Sequence, residues 1–302
     1  MNTLFWTGKL SFPMRILIDA NSMLALLTGN SRNRSAMKDR IKMGYNGTFS
    51  QHVTHYDELA GEFQKRAAVY QLYGIDLRGK ELIDIGGGTG IIALIALEMG
   101  AEKVVCGDIS ENMLERGREK AKTLGYDSSR IEFRQLDAES LPYDDNSFDI
   151  VMTGMAFGLL PDQKKAAKEM FRVLRPGGLA ALGAHGPEHY WEAIDTNLRA
   201  INKKYVLGYR LEFWPRSEKQ IHLLMKDAGF KNIRTNRFIW RNLFKSPSEA
   251  CDFFSSVTSN WWFAKVPENK RVQEYKKTQR NFERRHINQV TDDIIVGYGL
   301  KY

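Results

Sequence analysis

Three alternating glycines, Gly86, Gly88 and Gly90, form the part of the sequence best suited to hold a ligand. They follow a short apolar run, residues 82–85, that contains one acid, Asp84. An apolar pattern with helical spacing follows directly, so the stretch predicts a buried strand, a tight glycine loop and a helix. The missing side chains let the backbone approach a ligand closely, and the start of the helix offers unpaired N–H groups. The spacing G-x-G-x-G differs from the G-x-G-x-x-G that is typical of dinucleotide oxidoreductases.

Two further acids stand at the ends of the next two predicted strands. Asp108 follows residues 103–107, and Asp137 follows residues 131–136. An acid about 20 residues after such a loop can accept two hydrogen bonds from a ribose diol. Each acid also has a simpler interpretation, because Asp108 could cap the following helix and Asp137 could cap the turn before Leu141.

An alternating scaffold of strands and helices is needed to bring these residues together. The patterns predict seven strands, at residues 82–85, 103–107, 131–136, 148–153, 179–183, 233–240 and 293–300. They predict helices at residues 111–124, 163–173 and 218–228, the last of which ends at Gly229. Such alternation predicts a parallel sheet that is covered by helices on both faces and binds ligands at the carboxyl ends of its strands.

Four motifs in a fixed order give the sequence a resemblance to a known family. They are LIDIGGGTG, GDIS, FRQLDAESLPYDDNSFDIV and EMFRVLRPGG, and the resemblance covers about residues 45–183. Together they resemble the class I S-adenosylmethionine-dependent methyltransferases, and among these the ubiquinone/menaquinone-biosynthesis-like (methyltransferase type 11) subgroup. The resemblance implies an α/β fold with a doubly wound, Rossmann-like, seven-stranded and mostly parallel sheet that has an antiparallel edge strand. It also implies an N-terminal lid helix and a helical insertion between the last two strands.

The resemblance assigns cofactor contacts residue by residue. Asp84 would contact the methionine end, Asp108 the ribose hydroxyls and Asp137 the adenine amino group, while Thr153 would line the methionine and acceptor side. Tyr56, on the lid helix, would face the methyl group or the carboxylate of the cofactor. The full set implied for S-adenosyl-L-methionine is Asp84, Gly86, Gly88, Gly90, Asp108, Ile109, Asp137, Ala138, Thr153 and Tyr56.

The predicted insertion, at about residues 243–288, is rich in large aromatic side chains. They are Phe253, Phe254, Trp261, Trp262 and Phe263. They could form the core of a helix pair that packs over the sheet, or some of the rings could cap an acceptor pocket. Aromatic faces suit an apolar ring or the positive sulfonium of the cofactor.

A general base would help if the methyl acceptor is a hydroxyl group or a carbon acid. His185, in the turn after the fifth strand, is the best placed candidate for a catalytic residue; His52, His55 and His189 are others. A histidine in a surface loop without a catalytic role is the alternative interpretation. No metal site is predicted, since neither Cys106 nor Cys251 has the C-x-x-C spacing of a metal ligand pair.

The charge is concentrated near the N-terminus. Residues 1–44 hold seven Lys and Arg and two Asp, so most of the net charge of +8 lies there. The nearly neutral remainder argues against nucleic acid as a substrate. We predict an N-terminal extension at 1–44 and one methyltransferase domain at 45–302. No membrane span is expected, and a cytoplasmic location is the default, with organellar targeting by the basic segment left open.

The sequence thus predicts an enzyme that transfers a methyl group from S-adenosyl-L-methionine to a small-molecule acceptor by in-line displacement. An apolar or quinone-like acceptor is favoured by the resemblance and by the aromatic insertion. The acceptor atom and the oligomeric state stay open. Two alternatives are a non-catalytic partner subunit with the same fold and a nicotinamide-dependent oxidoreductase, of which the glycine spacing argues against the second.

Overall fold

The computed structural model of the chain describes residues 38–39, 42–43, 53–200, 214–254 and 266–302, with residues 54–56, 58–60 and 197–200 described by their backbone alone. Seven strands are β1 (Glu81–Ile85), β2 (Lys103–Asp108), β3 (Ile131–Gln135), β4 (Phe148–Thr153), β5 (Leu174–His185), β6 (Lys231–Leu243) and β7 (Gln289–Leu300). The helices are α1 (Val53–Leu72), α2 (Ile91–Glu98), α3 (Glu111–Thr123), α4 (Gln163–Val173), α5 (Trp191–Ala200), α6 (Glu218–Ala228), α7 (Pro247–Phe253) and α8 (Glu268–Arg284). A short 3₁₀ helix, Met155–Leu159, follows β4.

All seven strands form a single sheet in the order β3-β2-β1-β4-β5-β7-β6. Strands β1 to β5 are parallel, whereas β7 runs antiparallel to both of its neighbours, β5 and β6. This confirms the predicted doubly wound, mostly parallel sheet. The strand order reverses between β1 and β4, and in such sheets the crevice at the carboxyl ends of the strands binds the ligand.

Alternating residues of the strands face two separate hydrophobic cores. Leu82 packs in one core together with residues of α1, α2 and α3, and Ile83 packs in the other together with residues of α4 and α6. Because side chains alternate across a sheet, a strand covered on both faces is mostly apolar, as β1 is apart from Glu81 at its start and Asp84.

Local sequence signals set the ends of the helices next to the site. Ser110 caps α3 by accepting a hydrogen bond from the backbone N–H of Met113, and Asp162 caps α4 in the same way. Gly229 ends α6 with a φ of 111°, a conformation that glycine adopts without strain.

The helical insertion lies between β6 and β7, where the sequence predicts it. Its helices, α7 and α8, pack around a third apolar cluster that we call the aromatic cluster, formed by Phe63, Tyr190, Phe244, Phe253, Phe254 and Phe282. Phe253 and Phe254 are therefore core residues, as one of the two interpretations states. Trp261, Trp262 and Phe263 lie outside the described residues. Among the helices that the structure describes, none is both long and apolar enough to cross a membrane.

Candidate cofactor and acceptor site

The glycine loop joins β1 to α2 in a conformation that favours glycine. Gly86, Gly88 and Gly90 have φ values of 71°, 56° and 80°. A Cβ atom at Gly86 would lie 2.6 Å from the Cβ of Ala156, and one at Gly88 would lie 3.1 Å from Cε of Met113. The loop therefore combines left-handed backbone with close neighbours, and a side chain would be strained at each of these positions.

Asp84 lies directly below this loop and is completely buried. Neither of its carboxyl oxygens has a hydrogen-bond partner among the described residues. Burial, with a smaller effect of the nearby charge of Asp108, raises the pKa of Asp84 to about 7, and the amide of Ala93 opposes the rise. A carboxylate buried with so little hydrogen bonding is costly, so a cationic or hydrogen-bonding ligand would stabilise it.

Asp108 ends β2 and holds the loop from the opposite side. Its Oδ2 accepts a hydrogen bond of 2.9 Å from the Gly88 amide, and its Oδ1 accepts one of 2.8 Å from the Ser110 amide. Since Ser110 itself caps α3, the alternative interpretation of Asp108 as the helix cap is wrong. Burial raises the pKa of Asp108, and the backbone hydrogen bonds oppose that rise. Ile109, the next residue, is half-buried.

Asp137 follows β3 and has two kinds of partner. Its Oδ1 accepts a hydrogen bond of 2.9 Å from the Glu139 amide, which is the turn-capping role considered for it. Its Oδ2 accepts a hydrogen bond of 2.7 Å from Nζ of Lys42 in the N-terminal segment. Nζ of Lys38, four residues earlier in the sequence, is 2.6 Å from Oδ2 of Asp162. Ala138 is buried beside Asp137.

The N-terminal segment was thus missed as a neighbour of the site. The sequence shows the excess of basic residues before residue 45, but it does not indicate which acids Lys38 and Lys42 contact.

Thr153 ends β4 and is buried, and its hydroxyl has no hydrogen-bond partner among the described residues. Helix α1 contacts the same strand end, because Nε2 of Gln71 donates to the backbone carbonyl of Thr153 at 2.7 Å. The predicted lid helix is therefore fixed to the sheet at its last turn. Tyr56 belongs to the backbone of α1, but its side chain lies outside the described residues.

The first half of α1 is fixed to the glycine loop by a second contact that the sequence did not indicate. Oδ1 of Asp57 accepts a hydrogen bond of 2.7 Å from Oγ1 of Thr89 in the loop. Two cations of α3 complete the group: Arg116 donates to Asp57 at 3.0 Å and Lys120 at 3.1 Å. We call Asp57, Thr89, Arg116 and Lys120 the α1 latch.

His185 is the last residue of β5 and is buried, with 7% of its surface exposed. The alternative of an exposed loop histidine is therefore wrong, because β5 continues to this residue by pairing with Ile294 of β7. Burial, together with the charge of Arg216, lowers the pKa of His185 to about 3, and the charge of Asp293 opposes this effect. The imidazole is consequently neutral at physiological pH and can accept a proton or a hydrogen bond.

His189 places its ring centroid 4.4 Å from that of His185, and its Nδ1 is 3.3 Å from Oδ1 of Asp292. Asn242 and Tyr190 both donate hydrogen bonds to the Asp292 carboxylate, whose pKa burial raises to about 7. We call His185, His189, Tyr190, Asn242 and Asp292 the buried polar network. No group of three His, Cys, Asp or Glu side chains in the described part of the chain is arranged to hold a metal ion.

Comparison with known proteins identifies the chain. A family model described as a methyltransferase domain matches residues 83–182. The ubiquinone/menaquinone biosynthesis C-methyltransferase of Cronobacter sakazakii is 40% identical over 173 residues, which are 52% of this chain and 68% of that protein. The enzyme of the same name from Pseudoalteromonas translucida is 41% identical over 173 residues, or 51% of this chain and 67% of that protein. The chain belongs to the class I S-adenosylmethionine-dependent methyltransferases.

Solved structures agree on the fold of this methyltransferase. The YcgJ protein of Bacillus subtilis aligns with a TM-score of 0.54 at 19% identity, covering 78% of this chain and 98% of that one. A phosphoethanolamine N-methyltransferase of Haemonchus contortus, in complex with phosphomonomethylethanolamine and S-adenosylhomocysteine, aligns with a TM-score of 0.57 at 19% identity, covering 86% of this chain and 60% of that one. At such identities the likeness concerns the fold.

The residues around the glycine loop fit the family's cofactor. S-adenosylmethionine carries positive charge on its amino group and its sulfur, which suits the unpartnered carboxylate of Asp84. The close neighbours and left-handed backbone of the loop favour glycine, and without side chains the loop backbone can approach the cofactor closely. The carboxylate of Asp108 has further lone pairs with which to accept ribose hydroxyls.

Proposed function

We propose that this methyltransferase methylates a carbon atom of a small, apolar ring acceptor of the quinone or quinol class. The main support is its identity of 40% to a C-methyltransferase named for ubiquinone and menaquinone biosynthesis, over two thirds of that protein's length. The two partly buried rings of the aromatic cluster, Phe63 and Phe244, add to this support, because aromatic side chains suit a flat apolar ring.

The proposal places the cofactor in the crevice at the carboxyl ends of β1, β2 and β4. Asp84 would hold its methionine end, Asp108 its ribose and Asp137 with Ala138 its adenine, with Ile109 beside the ring. The glycine loop would contact it through its backbone, and Thr153 would lie toward the acceptor. Bound S-adenosylmethionine supplies a methyl group on a positively charged sulfur, which leaves as a neutral thioether. In this proposal residues 45–302 act as one domain, and residues 1–44 form an extension.

The protein's task is then to align the acceptor with the methyl group and to exclude water. Positioning of this kind supplies much of the rate enhancement of a transfer between two bound molecules. Helix α1 and the insertion are suited to it, because Phe63 of α1 contacts both Phe244 and Phe253, with ring centroids 5.6 and 5.0 Å apart. They meet beyond the end of β5, where an acceptor would lie next to the cofactor.

The test is methyl transfer from labelled S-adenosylmethionine to a panel of chemically reduced benzoquinones and naphthoquinones with short side chains. We expect a product with one added methyl group, on a ring carbon by NMR, and with S-adenosylhomocysteine formed in equal amount. Catechols, phenylethanolamines and small thiols serve as acceptors for O-, N- and S-methylation. Transfer to any of these in preference to the quinols would contradict the proposed acceptor class.

A substitution at the ribose position tests the cofactor site separately. We expect Asp108→Ala to weaken the binding of S-adenosylmethionine by about 1–3 kcal/mol, because hydrogen bonds to a charged group are lost. Asp144→Ala, an exposed acid in the turn before β4, is the matched control. Calorimetric titration measures both variants, and wild-type affinity in Asp108→Ala would refute the assignment of Asp108 to the ribose.

A further inference from the structure

The buried polar network has a composition unusual for a core that only stabilises the fold. His185, His189, Asn242 and Asp292 are 7%, 6%, 3% and 2% exposed. They come from the ends of β5, β6 and β7 and from the connection after β5. Burying several ionisable groups together costs free energy unless their hydrogen bonds compensate for it, so a cluster of this kind points to a functional role.

Tyr190 adds backbone strain at the same place. Its φ is 52°, in the left-handed region that an aromatic residue rarely adopts. In this conformation its ring stacks on His189 with a centroid distance of 3.9 Å, and its hydroxyl donates to Asp292. Strained residues cluster at sites where a precise side-chain position matters.

The contact between His189 and Asp292 is suited to take up a proton. Nδ1 of His189 accepts a hydrogen bond of 3.4 Å from the Asp293 amide, so it carries a lone pair. The same nitrogen is 3.3 Å from Oδ1 of Asp292. A lone pair and a carboxylate oxygen repel at this distance, and a proton taken up by Asp292 removes this repulsion, so the two groups titrate as a pair.

The network lies on the acceptor side of the sheet. A side chain at Gly183 would contact Gln71 of α1, and side chains two residues apart in a strand share a face. His185 therefore faces the α1 side, at the carboxyl end of β5. Asp292 faces the same side by its spacing from Ile294, which packs in the core beneath α1.

The aromatic cluster covers this end of the network. The ring of Tyr190 is 5.9 Å from that of Phe253 and 6.1 Å from that of Phe254. A polar group at the edge of aromatic side chains suits a ring with one hydroxyl, because the ring can pack on the apolar side chains while the hydroxyl reaches the polar group.

We propose that His185, His189 and Asp292 form a proton relay that binds a hydroxyl group on the ring acceptor and takes up the proton released by methyl transfer. This inference rests on the proposed function for its substrate class. His185 would contact the hydroxyl, whereas His189 and Asp292 are positioning residues that act through it.

The proton balance of the transfer requires such an acceptor. A ring carbon forms a bond to the methyl carbon, the sulfur keeps the electron pair of the broken sulfur–carbon bond, and one hydrogen leaves the ring carbon as a proton. Withdrawal of the hydroxyl proton by His185 would leave its electron pair on the oxygen, where it activates the ring carbon. Passage of this proton to the His189–Asp292 pair would restore His185, and the proton that leaves the ring carbon would go to the oxygen, so that the transfer releases one proton in all.

Other charged groups also face the pair and set its titration. Arg66 approaches from α1, Asp293 lies next to Asp292 on β7, and Arg216 approaches from the segment before α6. Arg237 of β6 and the amide of Glu188 hold Asp293 through hydrogen bonds of 2.8 Å. Because Asp293 is neutralised by Arg237, Asp292 is the carboxylate that remains available to the histidines.

Binding without turnover gives the first test. Wild-type protein saturated with S-adenosylhomocysteine is titrated with 1-naphthol and with 1-methylnaphthalene, which lacks the hydroxyl. We expect 1-naphthol to bind about tenfold more tightly, a difference equal to one good hydrogen bond. His185→Asn and Asp292→Asn should reduce this preference to less than about threefold, whereas His222→Gln, exposed on α6, should keep it.

Equal binding of the two probes to the wild type would overturn the relay. An unchanged preference for 1-naphthol in His185→Asn and Asp292→Asn, with both variants unfolding at the wild-type temperature, would overturn it as well. Failure of the proposed function looks different. If naphthol preference depends on His185 but no quinol is methylated, the acceptor class is wrong while the hydroxyl site stands.

A pH profile separates the relay from a purely structural role. Tyr190 donates to the charged form of Asp292, so Tyr190→Phe should raise the pKa of the pair and move the acidic limb of the kcat/KM profile to higher pH. A structural role would lower activity at all pH values without moving that limb. An unmoved limb in Tyr190→Phe would therefore contradict the relay.

Discussion

Asp84 shows how a single residue can favour ligand binding at a cost in stability. Its ordinary pKa is 3.8, and burial raises the pKa to about 7 in the folded protein. Between these values the folded state holds a proton that the unfolded state has lost. The free energy of unfolding therefore falls as pH rises from about 4 to 7 and does not recover above pH 7.

We predict that Asp84→Asn makes the decrease in unfolding free energy between about pH 4 and 7 shallower, because the variant has no carboxylate to ionise at this position. Part of the decrease should remain, because burial also raises the pKa values of Asp108 and Asp292. Above pH 7 the variant should be more stable by about 1–3 kcal/mol, because it no longer buries a charged group. The gain is limited because the buried amide also lacks hydrogen-bond partners. Urea unfolding at several pH values measures this, with Asp144→Asn as the exposed control. The same pH dependence in variant and wild type would refute the prediction.

The variant should bind S-adenosylmethionine more weakly, and wild-type affinity should rise from pH 6 to pH 8 as Asp84 ionises.

Helix α1 illustrates what an element contributes beyond its own sequence. Gln71 fixes its last turn to the end of β4, and the α1 latch fixes its first half to the glycine loop. Lys120 within the latch is partly buried, which lowers its pKa, and Asp57 opposes this effect. The position of the first half of α1 thus depends on the Asp57 carboxylate, which joins α1 to the glycine loop and to α3.

We predict that Asp57→Ala loosens the first half of α1 and weakens S-adenosylmethionine binding, because Thr89 loses its acceptor and Lys120 is left without its anionic partner. The expected loss in unfolding free energy is about 1–3 kcal/mol. Hydrogen exchange of the α1 amides should accelerate, and calorimetry should show the weaker binding. Glu62→Ala is the matched control, since Glu62 lies on the same helix and pairs only with the exposed Lys65 among the described residues. If exchange in α1 is unchanged, the latch does not hold the helix.

The elements were predictable to the extent that their signals are local. The apolar run of β1 and the glycine loop each occupy a few neighbouring residues, and their predicted positions agree with the structure. The start of β5 was predicted five residues late, at 179 rather than Leu174. The register between β4 and β5 shifts there, and the Gly177 amide bonds to the carbonyl of Lys301 near the other end of the chain.

The missed parts of the site depend on contacts between distant residues. The α1 latch joins Asp57 to Thr89, 32 residues away, and Lys42 meets Asp137 across 95 residues. His185 was assigned to a turn because its burial arises from β7, which pairs with β5 only in the folded sheet. No periodicity or motif in a single sequence carries information of this kind.

At the scale of the whole molecule, two basic residues of the N-terminal segment, Lys38 and Lys42, contact acids on the body of the protein. Most of the net charge of +8 lies in residues 1–44, and Lys38 and Lys42 of that segment contact Asp137, Glu139 and Asp162. Glu139 is nearly buried, and its side chain is 3.3 Å from Nζ of Lys42. Loss of the two cations would leave three carboxylates close together, at the edge of the site where the adenine is proposed to bind.

We therefore predict that the double variant K38Q/K42Q of the full chain unfolds at a lower temperature than the wild type in low salt, by a few degrees for a loss of about 1–2 kcal/mol. The difference should shrink in high salt, because salt screens partly exposed charges. Thermal unfolding at several salt concentrations, with and without S-adenosylmethionine, measures both effects. Lys65→Gln, which breaks only an exposed pair within α1, should show neither a loss nor a salt dependence. If the double variant loses stability equally at every salt concentration, packing of the lysine side chains rather than charge holds the segment against the site.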